Sequence, residues 1–497
     1  MLSEKPIFIE IDSDAEEDNY VTENLEEAAN LDNLELDKLF KVQLKLGQTP
    51  ICATEKDQTQ TLLVKVSENT IDEEKISQAS LDLVCVIDCS GSMNGFKLTQ
   101  VQQTLVYLME MLQPTDRLAI VAFNSQAVIL NSLRLVTKEN KCGRLLSNIQ
   151  SLTAVGGTNI VCGLKKAYQI LSQRTTKNRM ASVFLLSDGN DNFDLVGLNP
   201  LIKLYKDQNY SINTFGYGDD HDPDSLRKMA EDNRGSFYFI KDLSRIDEAF
   251  VDCLALLCSA IGGKAKIVIK LVPTPTFREI SFKQCYGSAW RGDEDTIRHI
   301  DLGYVYIGMD KTFVSEIALD CDRLEGLPAD VMIAEAILEM KPLTSGDSMY
   351  VKDVIKCQVV EKQQDVVKDV EVEKHLLRVT GATVLTTARE FLNKGNVEEA
   401  EKVFEMFKSR LGKVSVNDVV LQNLTKQAVM SQQYFNNFKN PQPQQKVQYQ
   451  KESRSFAHCL NQQAAAFMNE QSAPEWNQDM YQNNRQKRFI GNLAKYK

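Results

Sequence analysis

The sequence predicts a multidomain chain: a doubly wound, Rossmann-like α/β domain inserted in a β-sandwich, then an α-helical region and a tail. Three observations carry this expectation. Short, apolar, β-branched runs alternate with amphipathic stretches between Leu81 and Cys258, and strands of that kind between helices belong to a mostly parallel sheet covered on both faces. Apolar and polar residues alternate on either side of that region, at 38–47 and 61–67 before it and beyond Gly263 after it, which is the period of half-buried strands. The 497 residues suffice for two or three cores, since single cores rarely grow past about 250 residues.

Residues 1–37 mix acidic residues with a few aliphatics, the composition of a flexible segment. The first forty residues hold thirteen Asp or Glu against Lys5 and Lys38, and removing them leaves 55 charges of each sign. The net charge of −11 therefore belongs to one end of the chain. A balanced remainder argues against a broad nucleic-acid-binding face.

Strands 38–47 and 61–67 form the start of the sandwich, within 38–78. The α/β domain, 79–262, follows. Its strand candidates are 81–88, 117–124, 127–136, 181–188, 211–218 and 235–240. Its helix candidates are 95–112, 138–151, 159–173, 198–207, 223–232 and 243–260. The remainder of the sandwich, 263–365, has strand candidates at 264–272, 304–310, 311–320, 330–340 and 351–360. We expect the early strands to complete this set.

From 366 to 439 the helical period returns. Ala400, Val403, Phe404, Phe407 and Leu411 make one apolar face, and the turn at 391–396 predicts a helical hairpin. The tail, 440–497, is rich in Gln and Asn with basic residues near its end, a low-complexity composition expected to be disordered when free.

No apolar run approaches the about 18 residues that span a bilayer, and the start lacks the basic and apolar regions of a secretory signal. Eleven Cys occur with no C-x-x-C pair, and several sit inside apolar runs. Reduced core thiols fit that placement, and with it a cytoplasmic or nuclear location.

The stretch "VCVIDCSGSMNGFKL" ends an apolar strand in a carboxylate and two hydroxyls. Alternate residues of a strand share a side, so Asp88, Ser90 and Ser92 converge while Cys89 and Gly91 point elsewhere. This is a hard-oxygen set of the kind Mg²⁺ accepts while keeping several waters. "GGTNI" offers Thr158 on a glycine-flanked loop before a helix, and "FLLSDGND" places Asp188 at the end of another buried strand. Ligand sites of open α/β sheets lie at the carboxyl ends of strands, where Asp88 and Asp188 both fall.

With these three motifs in this order, the chain over 79–262 resembles the von Willebrand factor A domain. Its metal-ion-dependent adhesion site is matched by "DCSGS", "GGTN" and "LSDG". The resemblance implies that Asp88, Ser90, Ser92, Thr158 and Asp188 hold a Mg²⁺, with Mn²⁺ or Ca²⁺ as alternatives. It further implies an open coordination position for a partner protein's Asp or Glu. Within the family the chain is similar to plant-type RING-finger proteins, through "LQPTDRLAIVAFNS", "GGTNIVCGLKKA" and "INTFGYGDDHD". A RING needs paired Cys and His ligands, and four His with no C-x-x-C do not supply them.

Other motifs have simpler readings beside their sharper ones. Cys89 is read as a small side chain packed behind the loop rather than a redox sensor. Asp219, Asp220, His221, Asp222 and Asp224 are read as a solvated acidic loop. Ile7, Ile9 and Ile11, turning acidic around Ser13, resemble a SUMO-interacting motif that would add a strand to the modifier's sheet. A terminal strand before a solvated acidic run explains the same residues.

No nucleophile elbow, zinc-protease helix, Walker loop or dinucleotide fingerprint is present, so a non-enzyme is expected. The primary expectation is an intracellular protein-binding scaffold that uses its Mg²⁺ site to capture a partner carboxylate. Two alternatives are a structural subunit whose metal merely stabilises the loop, and a substrate adaptor for ubiquitin or SUMO machinery.

Overall fold

A computed structural model describes residues 39–52, 58–69, 79–188, 195–208, 210–217, 223–240, 246–287, 289–321, 330–343, 347–360, 366–394 and 396–412. The acidic segment 1–37 with Ile7, Ile9, Ile11 and Ser13, the loop 219–222 and the tail 440–497 lie outside these.

Two strands come first, β1 (Phe40–Leu46) and β2 (Gln58–Glu68), paired antiparallel with Val42 opposite Val66. The α/β region then contributes β3 (Leu81–Asp88), α1 (Phe96–Met111), β4 (Arg117–Phe123), β5 (Ala127–Leu135) and α2 (Ile160–Ser172). It continues with β6 (Met180–Ser187), α3 (Leu195–Asp207), β7 (Ser211–Tyr217), α4 (Pro223–Asp232), β8 (Phe237–Ile240) and α5 (Ile246–Cys258). These strands form one sheet in the order β8-β7-β6-β3-β4-β5, parallel except for the edge strand β5.

Every residue of β3 is buried because helices cover both faces. Leu81, Leu83, Cys85 and Ile87 enter the core beneath α1 and α5, while Val84 and Val86 enter the core beneath α2 and α4. The two-residue period thus builds two cores from one strand. From β3 the chain runs to β4 on one side, and from β6 to β7 and β8 on the other. The crevice between the carboxyl ends of β3 and β6 is a topological switch point, where open sheets of this type bind ligands.

Helix α5 is buried almost all round. Phe250 stacks on Phe215 at 4.1 Å, and the same core continues to Tyr304, Tyr306 and Leu343 of the later segments. The helix was expected to run to 260. It stops at Cys258, where the Ser259 hydroxyl bonds the Leu256 carbonyl, because Ala260 already begins a strand that pairs with the segments Ile297–Tyr306 and Val331–Pro342.

The later strands are β9 (Ala260–Leu271), β10 (Phe277–Cys285), β11 (Ile297–Tyr306), β12 (Asp310–Cys321), β13 (Val331–Pro342) and β14 (Met349–Cys357). They build two antiparallel sheets. One has the order β1-β2-β12-β10; the other joins the short strand Trp290–Arg291 to β11-β9-β13-β14. Leu62 and Val64 of the first sheet and Ile267, Ile269 and Leu338 of the second belong to one core.

Three local expectations change. Strand 304–310 is the end of β11 plus a turn, since Gly308 takes φ +77° and the Met309 amide bonds back to Tyr306. β10 was not expected, because "FREISFKQC" has polar residues on both faces, yet it pairs along β12 as an edge strand. The helix over 138–151 is broken at Gly143, whose backbone is non-helical.

Two helices close the described chain, α6 (Val370–Asn393) and α7 (Val397–Leu411). Ala400, Phe404, Phe407 and Leu411 are buried as the period requires, and Val403 is half-buried. A Cβ at Gly381 would meet the Phe407 ring at 2.6 Å, so glycine permits this close crossing. Lys45 and Lys65 bond Glu371 and tie α6 to β1 and β2. The Lys45 contact in particular holds the Glu371 carboxyl down at about 2. Among the described residues no helix is long and apolar enough to cross a membrane.

A candidate metal centre at the sheet's carboxyl edge

Asp88 is the last residue of β3 and is fully buried. Its Oδ1 accepts the Ser90 amide at 2.8 Å and its Oδ2 accepts the Ser187 hydroxyl at 2.7 Å. Burial pushes its carboxyl up to about 6, against the opposing pull of the Ser187 and Ser90 bonds.

Beyond Asp88 the Cys89 amide still reaches the Phe123 carbonyl of β4, at 2.6 Å. A single tight turn over Gly91–Met93 follows, and the buried Met93 side chain anchors it. Gly95, at φ +81°, swings the chain into α1.

The turn aligns the hydroxyls. Ser90 Oγ lies 2.9 Å from Ser92 Oγ, and Ser92 Oγ donates to Asp188 Oδ1 at 2.7 Å. Asp188 directly follows β6 and is itself buried. Three oxygens from two strand ends thus stand in a row.

Thr158 arrives by a third route. Its loop is tied to the first by Gly91 N–H to the Gly156 carbonyl at 2.9 Å and Val155 N–H to the Cys89 carbonyl at 2.8 Å. Gly156 sits at φ +82°, a conformation that favours glycine. On the far side the Gly157 amide bonds Ser125 Oγ at 3.0 Å. Asn159 then caps α2, accepting the Cys162 amide. Thr158 is half-buried in this strut.

Cys89 packs into the core, and burial first, then the Asp88 charge, pushes its thiol far above the ordinary range. The thiolate is suppressed, which suits a packing role.

The donor set suits a small hard cation. Octahedral Mg²⁺ holds oxygens at about 2.1 Å, so neighbouring ligands stand about 3.0 Å apart. The hydroxyl and carboxylate spacings of 2.9 and 2.7 Å lie near that edge. With two carboxylates the centre is not a dense acidic cluster, and among the described residues no group of three or more His, Cys, Asp or Glu is placed to hold a metal.

Two participants carried no expectation. Ser187, which fixes Asp88, is the residue before Asp188 in "LLSDG". Lys97, whose ammonium bonds Asp188 Oδ2, stands in the first turn of α1. A lysine at the positive end of a helix is unfavourable locally, and that conflict was the available signal. Phe96 and Val155 are large apolar residues left exposed on the segments around the centre.

Residues 82–251 match the family description of the von Willebrand factor type A domain. Among curated proteins, uncharacterized protein sll0103 of Synechocystis is 23% identical over 341 residues, 65% of this chain and 77% of that protein. The E3 ubiquitin-protein ligase WAVH1 of Arabidopsis thaliana is 35% identical over 119 residues, only 22% of this chain and 17% of the ligase. Among solved structures, a von Willebrand factor type A protein from Catenulispora acidiphila superposes with a TM-score of 0.62 at 15% identity, covering 85% of this chain and 96% of that one. The chain therefore carries a von Willebrand factor type A domain, and its likeness to that solved structure extends well beyond it.

Proposed function

We propose that this von Willebrand factor type A domain serves a non-catalytic scaffold that captures a carboxylate of a partner protein through a Mg²⁺-dependent adhesion site. The observation that carries the reading is the convergence at the switch point of Ser90, Ser92 and Asp188, two hydroxyls and a carboxylate joined at 2.9 and 2.7 Å. Ser90, Ser92 and Thr158 would offer hydroxyls, and Asp88 and Asp188 the charge. A bound ion would supply a Lewis-acidic position open to the partner. Both oxygens of Asp88 are held by Ser90 and Ser187, so the loop presents oxygens to a cation rather than a free base to water. Exposed Phe96 and Val155 would give the partner apolar contact beside its carboxylate.

In the same reading the α/β domain is an insertion between β2 and β9 of a two-sheet sandwich. Support comes from β2 pairing along β12, Leu62 opposite Ser315, and from the core shared by the two sheets. The domain's two connections then enter one rigid base, with α6 and α7 packed outside it. The similarity to a plant ubiquitin ligase covers a minor part of either chain, and the sequence lacks RING ligands, so ligase chemistry itself is not proposed. Buried Cys85 and Cys253, neither of them in a disulfide, suit a reducing compartment.

Calorimetric titration with Mg²⁺ and affinity capture with and without EDTA test the reading. Saturable binding that Asp88→Ala abolishes, with a captured protein released by EDTA, is the expected result. Captured proteins indifferent to both would move the interface to the sandwich and overturn it.

A further inference from the structure

Lys97 is the one cation that the described structure brings onto the oxygen row. Its ammonium bonds Asp188 Oδ2, while Ser92 bonds Oδ1 of the same carboxylate. The two Asp188 oxygens are thus divided: one faces the hydroxyls, the other faces Lys97. The ammonium also lies 5.8 Å from the centroid of the buried Tyr217 ring, whose hydroxyl is held by Met93 Sδ at 2.9 Å. Lys97 is therefore seated between a carboxylate and an aromatic face, and its side chain keeps about a third of its exposure.

This seat is electrostatically expensive. Lys97 is the second residue of a sixteen-residue helix whose first turn holds no acidic residue. It thus adds its charge to the positive end of the helix macrodipole. A role in loop stability alone would be met as well by an uncharged donor.

The charge balance gives the reason. Asp88 and Asp188 cancel a divalent cation, leaving a loaded centre neutral, and Lys97 then makes it positive by one. We propose that Lys97 is the partner-selecting residue of the centre: it keeps the loaded site cationic by one charge, so that the open position takes a carboxylate in preference to a neutral ligand. The same charge repels the divalent ion. Lys97 therefore lowers the affinity for the metal while raising the affinity of the loaded centre for an anion. This inference rests on the metal-site reading above.

The opposite signs of the two effects are the test. Lys97→Gln replaces the ammonium donor to Asp188 by an uncharged amide donor; Lys97→Arg keeps both a donor and the charge. With the full chain, Mn²⁺ affinity is read from the electron paramagnetic resonance of free Mn²⁺. Acetate affinity is read from water-proton relaxation of the Mn²⁺-loaded protein at constant ionic strength, with acetamide as the neutral control. The expected result for Lys97→Gln is Mn²⁺ binding about tenfold tighter and acetate binding about tenfold weaker, the scale of one unit charge at a partly exposed site. Lys97→Arg should stay near the wild type in both, and acetamide should not respond.

If both affinities fall together in Lys97→Gln, Lys97 only props Asp188 in place and the inference is overturned. If neither moves, it is overturned as well, while the metal reading stands. A wild-type chain that shows no saturable Mn²⁺ binding would sink the metal reading itself, and the inference with it.

Discussion

Gly163 decides how closely α2 lies on the sheet, and with it where Thr158 stands. A Cβ at this position would lie 2.8 Å from Val86 Cγ1 and 3.0 Å from the Phe123 ring, and both neighbours are fully buried. Gly163→Ala should gain about 1 kcal/mol of helix propensity. Against this stands an overpacking cost of about 1–3 kcal/mol where neither neighbour can withdraw. The net expectation is a loss of about 1 kcal/mol. Removing the obstructing methyl with Val86→Ala should by itself cost about 2 kcal/mol, as a buried truncation does. In the double variant the new Cβ occupies the vacated space, so the two losses should fall short of additive by about 1 kcal/mol or more.

The assay must report on the domain, since a multidomain chain need not unfold in one step. Amide exchange of the β3 segment in increasing urea meets that need. A second readout follows from position: α2 begins two residues after Thr158, with only its Asn159 cap between, so Mn²⁺ affinity should fall in Gly163→Ala and recover in the double variant. Stabilisation by Gly163→Ala, or strict additivity with Val86→Ala, would refute the packing argument.

Two further outcomes concern buried charge. Asp82, at the opposite end of β3, receives Arg117 at 2.7 and 2.8 Å and also pairs with Arg174. Asp82→Asn should cost about 3–5 kcal/mol by leaving two guanidinium groups poorly compensated, with Mn²⁺ affinity little changed; a loss under about 1 kcal/mol in urea unfolding would contradict this. On α6, burial pushes His375 down to about 3, and its Nδ1 has no hydrogen-bond partner. The unfolded chain therefore takes up a proton near pH 6.5 that the folded chain refuses. Stability is full above that pH and is lost as pH falls from 6.5 towards 3. At pH 5 the loss should be about 2 kcal/mol, and His375→Leu should remove it, read as a flatter dependence of the α6 unfolding midpoint on pH; an unchanged slope would exclude His375 as its source.

Much of the centre could be read locally because its chemistry is local. Asp88, Ser90 and Ser92 share one turn, and the alternation that buries β3 also ends it with a carboxylate at the crevice. The same holds for α7, whose apolar spacing names the face it buries. Pairings between distant segments had to come from tertiary structure. Nothing in "TLLVKVS" says that Leu62 will stand opposite Ser315, because a two-residue period fixes which side of a strand is apolar but not which strand it meets. β10 escaped notice for a related reason: an edge strand in which Arg278, Glu279 and Lys283 stay exposed carries little alternation to read.

The end of α5 was likewise set by its neighbours. Ala260 to Gly263 has no strong preference of its own, and the waiting edges of β11 and β13 draw it into a strand. The sequence by itself determined the hydroxyl and carboxylate residues of the candidate centre, the strand ends that bear them and the helices between, since each depends on periodicity within a few residues. Only the tertiary structure decided that Ser187 holds Asp88 and that Lys97 shares Asp188 with Ser92. Those contacts join segments about ninety residues or more apart, and their existence depends on how β3 and β6 come to lie side by side.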